Sequence, residues 1–342
     1  MITVTEPAPY AFVGGRLHRD LVEVTDDLSA LDRPGPWVVV GTFEGAWTCA
    51  RFASVVEAPF PAEPTPWRGP ARNDWRSSLD ESSYTKAVSH IRDRIAAGDV
   101  YQVNLCRVLT APSPAPDLTG LLSALSRGNP APHLGAVRVP GLDVVTASPE
   151  LFLRRQRDTF EQDTLTSSPI KGTGRTAADI TDKDHAENVM IVDLVRHDVS
   201  PLAVIGGVDV PELCVLQQHP GLVHLVSTVR ARLRNDLTWA DILGATMPPG
   251  SVSGAPKHAA LRIIRELEPV DRGPYCGAVG WVDGDRGELA VGIRTFWLAG
   301  GHLHFGTGAG ITWGSDPDRE WAETELKGER LLAIASAGGW RP

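Results

Sequence analysis

Cys276-Gly277-Ala278-Val279-Gly280-Trp281-Val282-Asp283, then Glu288-Leu289-Ala290-Val291-Gly292-Ile293-Arg294-Thr295-Phe296-Trp297-Leu298, then His302-Leu303-His304-Phe305-Gly306-Thr307-Gly308 follow one another near the C-terminus. All three read as strands, rich in β-branched and aromatic residues and separated by Gly and Asp turn signals. A helix follows from about Pro317 to Ala337. Strands grouped in this way, without regular βαβ alternation, place the chain in the α+β class.

The same punctuation runs back towards the N-terminus. Residues 1 to about 56 read as short strands, with Trp37-Val38-Val39-Val40 as a buried run. Pro59, Pro61, Pro64, Pro66 and Pro70 oppose both helix and central strand and mark a linker or surface crossing. Tyr84, Val88, Ile91 and Ile95 recur at helical spacing before a Gly98 stop. Tyr101–Val108 reads as a strand and the segment near Leu118–Leu125 as a short helix. Leu134–Val139, Val144–Ala147 and Leu151–Arg155 read as strands. Asp182–His197 is helical, capped by Asp182 or Thr181, and Ala259–Leu267 is helical before Pro269.

The 342 residues carry a formal net charge of −9, which argues against a nucleic-acid partner. No apolar run is long enough to span a bilayer, and the N-terminus has no charged segment followed by an apolar one. The four cysteines, Cys49, Cys106, Cys214 and Cys276, have neither CxxC nor zinc spacing. They read as reduced thiols, so the expected location is the cytoplasm, away from membranes.

Several segments carry chemistry. On the last helix Glu320, Glu323 and Lys327 share one face, and Asp184 and Glu187 share a face of an earlier helix. Each set reads either as a solvated surface or, if the helices converge, as an oxygen site for a hard cation such as Mg²⁺. Pro248–Lys257 is a loop of small residues before a helix start, able to approach an anion but without P-loop spacing. Gly306–Gly310 reads as a glycine-rich turn after a strand. Arg294, within an apolar strand, needs an anionic partner, either a substrate carboxylate or a structural Asp.

Taken together, these segments resemble the chorismate-utilising family over roughly residues 80 to 335. Its branches include anthranilate synthase, aminodeoxychorismate synthase, isochorismate synthase and salicylate synthase. The matching stretches are Ser148-Pro149-Glu150, Pro169-Ile170-Lys171-Gly172-Thr173, Ala186–Leu194, His224-Leu225-Val226-Ser227, Gly250–Lys257, Pro274–Gly277, Gly292–Thr295, Gly308–Gly310 and Glu320–Lys327. The resemblance implies a sandwich of two antiparallel sheets with helices outside and the site between them. It also implies a β-rich segment over 1–75 packing on the same fold and a chorismate-binding catalytic domain over 76–342.

It further implies roles. Glu187 and Glu323 would hold Mg²⁺, with Asp184 and Glu320 supporting through water. Arg294, Tyr275, Lys327 and the backbone of Gly308, Ala309 and Gly310 would hold substrate carboxylates. His224, Gly172 and Thr173 would line the ring pocket, with Ser253 and Gly254 from the small-residue loop. Glu150 would protonate the departing C4 hydroxyl, since hydroxide is a poor leaving group.

Gln102 stands where water-adding members place a lysine base, which argues against isochorismate and salicylate synthesis. Lys171 stands where anthranilate synthases carry alanine and aminodeoxychorismate synthases carry lysine, and the resemblance is nearest to the latter branch. A lysine can attack C2 as the C4 hydroxyl leaves, and ammonia can then add at C4 and expel it. The reacting amine must be neutral, so this route expects burial and nearby cations to bring the ammonium down from ~10.4 to about 7–8, roughly 3–4 kcal/mol. The expected product is 4-amino-4-deoxychorismate, with ammonia from a glutamine amidotransferase partner. The alternative is amination at C2, giving anthranilate or 2-amino-2-deoxyisochorismate. A catalytically inactive, ligand-binding subunit is a further alternative.

Overall fold

A computed structural model describes residues 8–57, 66–157, 162–174, 176–219 and 222–337, with backbone alone at 172–174, 219 and 222. Pro59, Pro61 and Pro64 of the proposed crossing lie outside the described residues. Its described end is anchored, because the Trp67 indole N–H donates to the Ala335 carbonyl at 2.9 Å.

Six α-helices are described: α1 (Glu81–Ala96), α2 (Thr119–Gly128), α3 (Asp182–Val199), α4 (Trp239–Thr246), α5 (Lys257–Leu267) and α6 (Pro317–Ala335). Side-chain oxygens cap three of the expected ones. Asp80 accepts from Ser83 N, Thr181 from Asp184 N and Asp316 from Arg319 N. At α3 the cap is reciprocal, since the Asp184 carboxylate accepts from the Thr181 N–H and hydroxyl at 2.9 and 2.7 Å.

The expected two-sheet sandwich is corrected to one continuous antiparallel sheet. Pairing runs from Ala203–His219 to Leu222–Leu233, then Asp163–Ser168, Leu151–Arg157, Arg286–Val291 and Ala278–Asp283. It continues through Pro36–Gly41, Trp47–Glu57, Arg16–Thr25 and Tyr10–Val13. From there it passes through His133–Val139, Leu142–Ser148, Thr295–Ala299, His302–Ile311 and Gln102–Pro112. The N-terminal strands cause the difference: they hydrogen-bond to both halves and so join what would otherwise be two sheets.

Two strand boundaries also differ, and both matter for the site. The run Glu288–Leu298 is two strands, Arg286–Val291 and Thr295–Ala299. Arg294 sits in the break in the left-handed region, at φ 53°. Its carbonyl accepts from Ala147 N, which fixes the break to a neighbouring strand. Gly306–Gly310 is not a turn but the interior of His302–Ile311, paired throughout with Gln102–Pro112. Small residues are needed there for close approach. A Cβ on Gly306 would lie 2.1 Å from the Tyr275 ring, and one on Gly310 would lie 2.6 Å from Gln102 Nε2.

Helices cover the sheet. Leu121, Leu122 and Leu125 of α2 and Leu331 and Ile334 of α6 pack with Phe296 and Phe305. Tyr84, Val88 and Ile91 of α1 and Ile263 and Ile264 of α5 pack with Val103, Leu105 and Ile311. Ile191, Val192 and Val195 of α3 join the largest core cluster with Trp239 and Ile242 of α4. Each such side chain, fully buried, contributes about 1.5–3 kcal/mol relative to exposure. The described cysteines are free thiols, and no described helix is long and apolar enough to cross a membrane.

Candidate active site

Lys171 lies on the strand Ile170–Gly174, paired opposite Leu225. α3 packs across these strands and directs Glu187 at it. Lys171 Nζ is 2.5 Å from Glu187 Oε2. Lys183, one turn earlier on α3, reaches Glu187 Oε1 at 3.5 Å and Glu320 Oε1 on α6 at 3.2 Å. One ammonium therefore touches carboxylates from both acidic helices, so the two helices converge. Further along α6, Lys327 pairs with Glu323 at 2.7 Å and donates to the Gly308 carbonyl at 3.0 Å.

The electrostatics follow from this packing. Burial would lower the Lys171 ammonium, but Glu187, Glu323 and Glu320 outweigh it and hold it above its ordinary value. That reverses the lowering expected from nearby cations, because the groups facing Lys171 are mainly acidic. Burial would raise the Glu323 carboxyl, yet Lys327, Lys171 and Lys183 hold it down at about 2.

Glu187 and Glu320 are nearly inaccessible, and Glu187 Oε1 has no hydrogen-bond partner among the described residues. A buried, under-satisfied carboxylate oxygen beside a second carboxylate fits Mg²⁺, which needs only one or two protein carboxylates and keeps several waters. No described group of three or more His, Cys, Asp or Glu is already arranged as a cage. Asp184 is occupied by the capping box at the start of α3.

The remaining side chains form two further groups. Glu150 is 4% exposed, and its Oε1 accepts from the Ser251 hydroxyl at 2.7 Å. Burial pushes the Glu150 carboxyl up to about 7, a rise that Ser251 moderates. The Glu150 carbonyl accepts from Val291 N, just before the break that carries Arg294. No described carboxylate pairs with the Arg294 guanidinium, and burial alone pulls it below its ordinary value. The structural-Asp reading of Arg294 therefore has no support among the described residues.

Gln102 is buried against Gly310, with Oε1 lacking a donor among the described residues. Tyr275 is buried beside Gly306, its hydroxyl 3.8 Å from Cys106 Sγ. His224 is buried with its backbone opposite Thr173. The side chain of Thr173 lies outside the described residues, as does any detail at Gly172 beyond its strand backbone. Gly254, at φ 146°, pairs with Val103 beside Gln102. Ser253 turns inward, its hydroxyl donating to Pro249 O at 3.0 Å. Ala309 pairs with Leu105 inside the sheet.

Two neighbours escaped the sequence reading. Lys183 was not singled out, though its spacing of four to Glu187 is visible in the sequence. Ser251 lay in a loop read for its backbone, and no local pattern links it to Glu150, 101 residues away.

A sequence profile described as chorismate binding enzyme matches residues 46–333. Anthranilate synthase component 1 1 of Haloarcula marismortui is 35% identical over 276 residues, covering 78% of this chain and 56% of that protein. Aminodeoxychorismate synthase component 1 of Klebsiella aerogenes is 38% identical over 272 residues, covering 75% and 59%. The chain thus spans under two thirds of the length of both relatives. Among solved structures, anthranilate synthase component I of Streptococcus pneumoniae superposes with a TM-score of 0.78 at 22% identity, covering 97% of this chain and 94% of that one. The menaquinone-specific isochorismate synthase of Escherichia coli gives 0.77 at 19%, covering 96% and 90%. At such identities the structural likeness speaks for the fold alone. The profile match over most of the chain, together with these relatives, carries the assignment: this chain belongs to the chorismate binding enzyme family.

Proposed function

We propose that the chain aminates chorismate at C4, giving 4-amino-4-deoxychorismate, the step that leads towards p-aminobenzoate. The observation that carries this reading is a lysine, Lys171, buried among Glu187, Glu320 and Glu323. Family members named for C4 amination and for C2 amination are about equally similar to the chain, so the choice rests on this residue. Lys171 Nζ forms a bond to C2 while the C4–O bond breaks. Glu150 gives its proton to the departing oxygen, which leaves as water. Ammonia then bonds to C4, the C2–N bond to Lys171 breaks, and the proton released by the new amine returns to Glu150.

Lys171 reacts as a neutral amine, so its ammonium has to leave the pair with Glu187 and lose a proton to solvent first. A bound Mg²⁺ would supply the positive charge that Glu187 and Glu320 otherwise draw from the lysines, and would attract a substrate carboxylate. Arg294, with no carboxylate partner among the described residues, is suited to a substrate carboxylate as well. Gln102 is not a base, which suits neutral ammonia rather than water as the nucleophile. The ammonia would come from a glutamine amidotransferase partner; the relatives are named as component 1 of their enzymes, which suits a complex of more than one subunit.

The test is turnover with chorismate, ammonium salt and Mg²⁺, read by product NMR. The C4-aminated product is expected. Anthranilate with pyruvate, or 2-amino-2-deoxyisochorismate, would assign the chain to C2 amination, and tight binding of chorismate without turnover would assign it a non-catalytic role.

A further inference from the structure

Glu150 has two carboxyl oxygens, and only one can present a proton to the leaving group. Oε1 accepts from the Ser251 hydroxyl at 2.7 Å, while Oε2 makes no hydrogen bond among the described residues. We propose that Ser251 is a positioning residue for the Glu150 acid: its hydroxyl fixes Oε1 and leaves Oε2 as the proton-bearing oxygen. This rests on the reading of Glu150 as the acid for C4–O cleavage.

The turn that presents Ser251 is held from three sides. Gly250 N donates to Asp198 Oδ2 on α3 at 3.1 Å. Asp198 is itself fixed by Lys257 of α5 at 2.7 Å. Asn104 Nδ2 donates to the Ser251 carbonyl at 3.3 Å. A side chain at 250 would press on the same carboxylate, since a Cβ there would come within 2.9 Å of Asp198 Oδ2. A chain pinned this closely aims one hydroxyl at one oxygen. Beside the pair is a small cavity lined by Glu150, Ser167, Asp198, Thr246 and Ser251, about 10 Å³ for the centre of a water. That is close to the minimum for one molecule.

A hydrogen bond to the ionised carboxylate favours that form, so its loss raises the carboxyl. Ser251→Ala is therefore expected to lower kcat about tenfold, leave KM for chorismate unchanged, and move the alkaline limb of the kcat profile to higher pH. Ser251→Thr, which keeps the hydroxyl, should restore both the rate and the limb. A double-mutant cycle isolates the route of action. Added to Glu150→Gln, Ser251→Ala should cause no further loss, because the serine acts only through the acid. An unmoved limb in a folded Ser251→Ala, or a tenfold loss that persists on the Glu150→Gln background, would overturn the proposal. If Glu150→Gln alone keeps both the wild-type rate and its alkaline limb, the acid reading of Glu150 has failed, and the role proposed for Ser251 falls with it.

Discussion

Lys171 Nζ and Glu187 Oε2 meet at 2.5 Å, one carried by the strand Ile170–Gly174 and the other by the helix packed on it. Each is the other's charge partner, and each is proposed for a role that the pairing prevents. A paired ammonium is no nucleophile, and a carboxylate occupied by an ammonium is not free to hold a metal. The contact therefore couples release of the lysine to recharging of the acidic cluster.

The first prediction concerns Lys171 itself. Lys171→Ala should reduce formation of the C4-aminated product by about 10²–10⁴-fold, as loss of a reacting group does. Calorimetric chorismate binding in Mg²⁺ should change little, because Arg294 and the metal carboxylates remain. Product NMR separates the outcomes: unimpaired C4 amination by the variant would remove Lys171 from the chemistry.

Lys183 gives a prediction about the metal. Its ammonium reaches Glu187 at 3.5 Å and Glu320 at 3.2 Å but is itself half exposed, so its pairing energy is modest. Lys183→Met should cost the metal-free protein about 1 kcal/mol, read by denaturant unfolding. The same change should tighten Mg²⁺ about fivefold by calorimetry, since the cation then displaces one ammonium fewer. Weaker Mg²⁺ binding would mean that Lys183 supports the metal rather than standing in for it.

Glu150 sets the pH dependence. Burial raises its carboxyl to about 7 in the folded protein. A folded value above the unfolded one means that the unfolded chain releases this proton first. Stability from the neutral carboxyl is thus complete below the unfolded value and is lost as pH rises through about 7. Glu150→Gln should match wild type near pH ~4 and exceed it by up to about 3 kcal/mol above pH ~8. Activity should move the other way, with a loss of about 10²–10⁴-fold and disappearance of the alkaline limb near neutrality. Parallel urea titrations across pH check the first half and pH–rate profiles the second.

How much of this was readable in the sequence depended on whether the cause was local. Whereas α1 and α6 were placed without their caps, Asp80 and Asp316, the start of α3 was legible because Thr181 caps it within three residues. The one-face grouping of Glu320, Glu323 and Lys327 was legible for the same reason. Gly306–Gly310 looked like a turn because its partners, Tyr275 and Gln102, are remote in sequence. The break at Arg294 was hidden inside an apolar run, since the bond that holds it comes from Ala147. The long strand Ala203–His219 was missed because Pro211 and Gly206-Gly207 disguise it; as the end strand of the sheet it tolerates both. Convergence of α3 and α6 could not be read from helical spacing and was implied only by the resemblance, being a product of the sheet that separates them in the chain.

Arg294 supports the last prediction. Its guanidinium is largely enclosed, lacks a described carboxylate partner, and sits on a residue at φ 53°. An enclosed charge without a counter-ion costs stability in the free protein. Arg294→Met retains length and apolar contact while removing the charge, so the variant should unfold at a higher temperature than wild type, by about 1 kcal/mol or more in stability. Chorismate binding should weaken by about 10²-fold, the loss of a charge-assisted hydrogen bond to a carboxylate. Thermal unfolding and calorimetry on the same preparations measure both. A variant that is both less stable and unimpaired in binding would show that the guanidinium satisfies the protein rather than the substrate.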